Sequence, residues 1–166
     1  MSIEQCLIHY SDQPFTLDLS YDYSQSCQKW HAKPVGLWFS VESPYDWKWW
    51  CEGEDFRVDH LAFSYKITLK PDANIIYLNN AEELFAFTRK YNRPTRYWDP
   101  DQDTYQLRWE EIKSLYQGII IPNYLWDCRL ALESSWYYGW DCSSGCIWDL
   151  TCIESFEQIH QPTEVT

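Results

Sequence analysis

Six stretches alternate apolar with polar positions, or run apolar between turn residues, and each predicts a strand. They are CLIHYS from Cys6, GLWFSV from Gly36, LAFSYKITL from Leu61, NIIYLN from Asn74, GIIIP from Gly118 and SGCIWDL from Ser144. Alternation is clearest in the third, where Phe63, Tyr65, Ile67 and Leu69 share a face. Three stretches carry helical spacing instead: SPYDWKWWCEG, NAEELFAFTRKY and DTYQLRWEEIKSLY. In the second, Asn80 is placed to cap the N-terminus, Glu82 and Glu83 fill the first turn, and Arg89 and Lys90 the last. Strands dominate, and the helices do not alternate regularly with them. The pattern predicts an α+β fold around a mostly antiparallel or mixed sheet.

A chain of 166 residues suits one domain with one core. The reading assigns residues 1–157 to that domain and 158–166, polar throughout most of its length, to a flexible C-terminal tail. Hydrophobic residues make up 45%, enough for burial to drive folding. The aromatic share of 19%, with 11 Trp and 13 Tyr, fits either a dense core or a cleft lined for a flat ligand.

The formal net charge of −12 argues against sequence-independent binding of nucleic acid, which needs lysine and arginine against phosphate. It favours a protein over a nucleic acid as macromolecular partner. No window has transmembrane length, and the N-terminus has no signal-peptide pattern, so the chain reads as a cytoplasmic protein with no membrane association. Its seven cysteines then read as reduced thiols.

Metal motifs are weak. Cys142 and Cys146 stand three residues apart, with Cys128 and Cys152 within reach in sequence, but the paired spacing of a zinc ribbon is missing. Asp99, Asp101, Asp103 and Glu110 match four positions of a calcium loop, yet Thr104 stands where that loop requires Gly. No metal is expected. Arg89, Lys90, Arg93 and Arg96 form the basic cluster of the chain. WYYGWDCSSGCIWDL, from Trp136, reads as two packed strands joined by a Ser-Ser-Gly turn.

Two fragments carry the functional signal. LIHYS ends a strand with His9, Tyr10 and Ser11: an imidazole able to hydrogen-bond a ribose hydroxyl, beside a ring able to stack a base. KPVGLWFS places Gly36 where the backbone can pass close to a bulky group. Trp38 and Ser40 then share one face of a strand. The plainer alternative is a satisfied histidine and a buried tryptophan.

Together these fragments resemble the His-Tyr-Glu branch of the ADP-ribosyltransferase superfamily. That branch carries an early His-x-Thr/Ser strand and a second strand of the form Gly-x-Tyr-Phe-Ser/Ala. His9 and Ser11 match the first, and Gly36, Trp38 and Ser40 match the second, with Trp38 where the family has Tyr. The resemblance implies a split mixed sheet with an NAD cleft, His9, Tyr10, Ser11, Gly36, Trp38 and Ser40 around the dinucleotide, and ADP-ribose transfer to a protein. It implies a small protein of the toxin, effector or phage-encoded kind. The family's third element, an acid or Gln, has two candidate positions, Asp141 and Gln117, with His9 the third candidate catalytic residue. The competing expectation is a non-enzymatic, acidic, aromatic-rich interaction or inhibitor protein that binds a basic partner.

Overall fold

The computed structural model describes residues 5–23, 33–95 and 104–162. Nine strands occur among them: β1 Leu7–Ser11, β2 Leu37–Val41, β3 Phe63–Leu69, β4 Ile75–Tyr77, β5 Asn92–Thr95, β6 Thr104–Leu107, β7 Gly118–Ile121, β8 Ser144–Ile147 and β9 Ile153–His160. The helices are α1 Trp47–Glu54, α2 Ala81–Tyr91, α3 Trp109–Leu115 and α4 Trp126–Arg129. Seven strands form one open mixed sheet in the order β4-β7-β8-β2-β1-β3-β9, and β5 and β6 pair separately. The β4–β7 ladder is parallel and every other ladder is antiparallel. The fold is α+β, as the pattern predicted.

Sheet burial follows from the central sequences. All four residues of β7 and all four of β8 are buried, so both faces of the sheet are covered here. Ile119, Ile121, Cys146 and Trp148 pack with α2, α3 and the aromatic segment around Trp136. Ile120 and Ile147 point the other way, to Leu37, Phe39, Val41 and Ile67. Gly145 is required between β2 and β7, because a Cβ there would lie 2.5 Å from the Phe39 ring and 2.8 Å from the Ile119 carbonyl.

Helix α2 starts as predicted. The Asn80 side chain accepts from the Glu83 amide at 2.9 Å, and the Glu83 carboxylate returns to the Asn79 amide at 2.7 Å. Its Thr88 hydroxyl donates to the Leu84 carbonyl and accepts from the Trp136 indole, which ties the helix to the aromatic core.

Three local expectations change. The stretch DTYQLRWEEIKSLY divides: its first part is β6, and α3 begins only at Trp109, whose ring packs at 6.0 Å from Trp136 and 6.3 Å from Trp148. Of the expected strand pair in WYYGWDCSSGCIWDL, β8 forms, but the first arm is a 3₁₀ segment, Leu132–Gly139. Burial of Trp136, Tyr137 and Trp140 on several sides decides this, since a strand would direct alternate rings away from the core. The tail begins later than residue 158, because β9 pairs with β3 out to His160. Phe156 explains why that polar-looking strand holds: its ring stacks on Tyr65 at 4.9 Å and 9°. Of the basic cluster, Arg89 pairs with Glu133 at 2.6 Å and Lys90 lies over the Tyr91 ring. Arg96 and the acidic positions 99–103 lie outside the described residues.

Candidate functional site

The sheet is weakly joined at its middle. Strand β1 pairs with β3 through all five of its residues, and β2 pairs with β8 through four. Between β1 and β2 only Leu7↔Val41 and Ile8↔Ser40 are registered. Continuation would set His9 opposite Phe39 and Tyr10 opposite Trp38, but the strands part there. The His9 side chain takes over, with Nδ1 at 2.7 Å from the Trp38 carbonyl. A carbonyl cannot donate, so Nδ1 carries the proton and Nε2 of the neutral ring is an acceptor.

A cavity of about 310 Å³ opens at this fork. His9 and Tyr10 from β1, and Trp38 and Ser40 from β2, line it together with Asp141. Lys33, Trp47, Arg57, His60, Trp140, Cys142 and Ser144 complete most of the wall. Residues of both sequence fragments therefore line one hollow, with the His9 ring packed against Phe15, Tyr65 and Phe156 and the Trp38 ring against Trp140.

Each lining group has a physical role. Burial lowers the His9 pKa below its usual value and outweighs the bond to Trp38, so the ring is neutral at neutral pH. Phe15 lies 4.7 Å from the His9 ring and Phe156 6.1 Å, which fixes its orientation from behind. Trp38 is anchored by its indole N–H to the Pro34 carbonyl at 3.2 Å and by an edge contact with Trp140 at 4.9 Å. The Lys33 ammonium stands over the Trp38 ring at 5.2 Å, so that face already accommodates a positive charge.

Burial raises the Asp141 pKa, while Lys33 and Arg129 pull it down. Tyr10 is raised to about 12, first by burial and then by Asp46 and Glu42. Cys142 is likewise raised to about 12 by burial and stays a thiol, which removes it as a nucleophile at neutral pH. Arg57 sits at φ 49°, in the left-handed region, between α1 and the 3₁₀ turn Val58–Leu61. Non-glycine residues held in this conformation concentrate at functional sites.

Three predicted positions fall outside the cavity lining. Ser11 Oγ donates to the Gln13 carbonyl at 2.6 Å. Gly36 does permit a close approach, but to the sheet itself: a Cβ there would meet the Ile147 carbonyl at 2.5 Å and Cys146 Sγ at 2.7 Å. Gln117 enters β7, where its amide donates to Asp149 at 2.9 Å and its carbonyl accepts from the Asn74 amide at 2.9 Å. It ties strand ends together and is not beside His9, which leaves Asp141 as the candidate acid. Ser40 lines the hollow, but its hydroxyl accepts from the Trp47 amide at 2.9 Å and so holds α1 in place.

Lys33, Arg57, His60 and Trp140 were not singled out from sequence. Lys33 and Trp140 lie within the quoted KPVGLWFS and WYYGWDCSSGCIWDL stretches, whereas Arg57 and His60 belong to the 3₁₀ turn Val58–Leu61 and its approach, whose position depends on the tertiary fold. Asp12, Asp59 and His60 place possible ligand atoms within 4.8 Å of one another, the one such grouping among the described residues. Cys128, Cys142, Cys146 and Cys152 form no shared metal-ligand group there.

The arrangement offers a neutral imidazole acceptor, a large aromatic face and a half-buried carboxyl, with two cationic side chains. It suits a ligand combining a flat ring, hydroxyls and negative charge. No family model matches the chain, and neither the curated proteins nor the solved structures provide a match. No helix among the described residues is long and apolar enough to cross a membrane.

Proposed function

We propose that the protein binds NAD in the fork between β1 and β2 and transfers its ADP-ribose to a protein acceptor, in the manner of the ADP-ribosyltransferases that its two motifs resemble. The observation that carries the reading is the single cavity shared by His9, Trp38 and Asp141. The nicotinamide ring of NAD is a flat cation, and the Trp38 face that now holds the Lys33 ammonium is matched to it. Neutral His9 accepts a ribose hydroxyl through Nε2 while Nδ1 remains on the Trp38 carbonyl. Arg57 supplies positive charge for the pyrophosphate, joined by Lys33 once nicotinamide displaces it from the Trp38 face.

In the reaction, the bond between ribose C1′ and the nicotinamide nitrogen breaks. Its electron pair leaves with the ring, which becomes neutral. The acceptor's nucleophile forms the new bond to C1′ and loses its proton to solvent. Positive charge develops on the ribose, and an ionised Asp141 stabilises it electrostatically.

Incubation with NAD labelled in the adenylate portion, with lysate as acceptor, tests the reading. Label is expected on protein, together with released nicotinamide, and is expected to disappear with His9→Asn or Asp141→Asn. Absence of released nicotinamide, labelled protein and NAD-dependent thermal stabilisation in the wild-type protein would overturn it.

A further inference from the structure

A second set of chemical groups meets the cavity wall at His60. Asp12 directly follows β1, and Asp59 and His60 belong to the 3₁₀ turn Val58–Leu61 that precedes β3. Pairing of Ser11 with Phe63 ends the β1–β3 ladder and brings the two segments side by side. Each segment is held locally. Ser11 Oγ donates to the Gln13 carbonyl at 2.6 Å, and the His60 amide donates to the Arg57 carbonyl at 2.9 Å. The result gathers one imidazole nitrogen and an oxygen from each carboxylate within 4.8 Å of one another. Nothing in the spacing announces this, because Asp12 is remote from Asp59 in the chain.

The spacing suits ligands of one ion better than a simple ion pair. His60 Nε2 stands 3.8 Å from Asp12 Oδ2, too far for a hydrogen bond. Among the described residues, the Asp59 carboxylate has neither a hydrogen bond nor an ion pair, so pairing Asp12 with His60 leaves it as added negative charge. The neighbouring Arg57 guanidinium lies against the Phe56 ring instead, at 5.5 Å. Donors about 2.0–2.2 Å from a shared ion stand about 3–4 Å apart. Modest rotations of these partly exposed side chains bring all three onto one centre.

We propose that Asp12, Asp59 and His60 bind a divalent transition-metal ion, with zinc(II) the best match. An imidazole ligand selects against magnesium and calcium, which prefer oxygen throughout their shell. Two carboxylates balance the charge of the ion, and zinc accepts histidine and carboxylate donors together. Zinc also outranks manganese and iron(II) in affinity for such a mixed site. The described cysteines offer no competing cluster. Three protein ligands leave a coordination position open for water or an anionic oxygen, and His60 is itself part of the cavity wall. Binding of the ion does not depend on NAD.

Calorimetric titration of zinc chloride into the full chain tests it, after reduction and treatment with a chelator. One equivalent is expected to bind, with magnesium chloride far weaker. Cobalt(II) reports the donors: visible d–d bands are expected without the near-ultraviolet band of a thiolate ligand. Asp12→Asn, Asp59→Asn and His60→Ala are each expected to weaken zinc by about tenfold or more, since losing even a supporting residue has that effect. The two Asn variants keep side-chain size and should melt with the wild-type protein in chelator. His160→Gln, at an exposed position of β9, should leave the affinity unchanged. No zinc binding, a thiolate band, magnesium binding as tight as zinc, or wild-type affinity in folded Asp12, Asp59 and His60 variants would overturn the proposal.

Discussion

His9 carries two separable tasks, and substituting it in two ways distinguishes them. Nδ1 closes the fork by donating to the Trp38 carbonyl at 2.7 Å, while the ring packs 4.7 Å from Phe15. In His9→Ala that carbonyl loses its side-chain partner, at a cost of about 1–3 kcal/mol. Loss of the ring contacts adds about 1 kcal/mol. The sum is about 2–4 kcal/mol, which for a domain of this size lowers Tm by about 5–15 °C. In His9→Asn the amide nitrogen superposes on Nδ1 and keeps the bond. Only the ring contacts are lost, about 1 kcal/mol, or a few degrees. Thermal unfolding followed by circular dichroism at pH 7.5 measures both. The reasoning fails if the two variants melt together, or if His9→Ala melts within a degree of the wild-type protein.

Burial holds the His9 pKa below 6.5, so the unfolded chain takes up a proton near that pH before the folded protein does. Stability is therefore expected to fall as pH drops below about 6.5, and denaturant titrations from pH 7.5 to 5 should show a smaller fall in His9→Asn. Thr88→Val strands the buried Trp136 indole N–H, now bonded at 2.8 Å, and should cost about 1–3 kcal/mol by urea unfolding. Gly145→Ala drives a methyl into Phe39 and the Ile119 carbonyl, and should destabilise by about 1–3 kcal/mol or more by the same assay. Asn80→Ala removes the α2 cap and should cost about 1 kcal/mol, with Asn80→Ser recovering most of it.

Periodicity made the central strands and α2 legible, because each places apolar residues on faces that the fold buries. The Asn80 cap was readable for the same local reason. β6 and β9 were not, since their polar sequences are held by partners distant in the chain, such as Phe156 on Tyr65. The 3₁₀ segment was hidden by its aromatic composition, which serves a strand equally well. In the cavity, His9, Tyr10, Trp38, Ser40 and Asp141 came from motifs and converge. Charge favoured Asp141 over Gln117 only slightly, and topology separates them: one enters β7 at a strand end, and the other lines the cavity ahead of β8. Arg57 and His60 cap and occupy the short 3₁₀ turn Val58–Leu61, whose position is set by its tertiary packing, so no local pattern announces them.

Calorimetric titration of NAD into the wild-type protein and His9→Asn tests the β1–β2 fork as a dinucleotide site most directly. One site is predicted on the wild-type protein, with binding weakened by about tenfold or more in a variant that keeps the Trp38 bond but loses the Nε2 acceptor. Equal heats and affinities in the two proteins, or no binding to the wild type, would contradict the account.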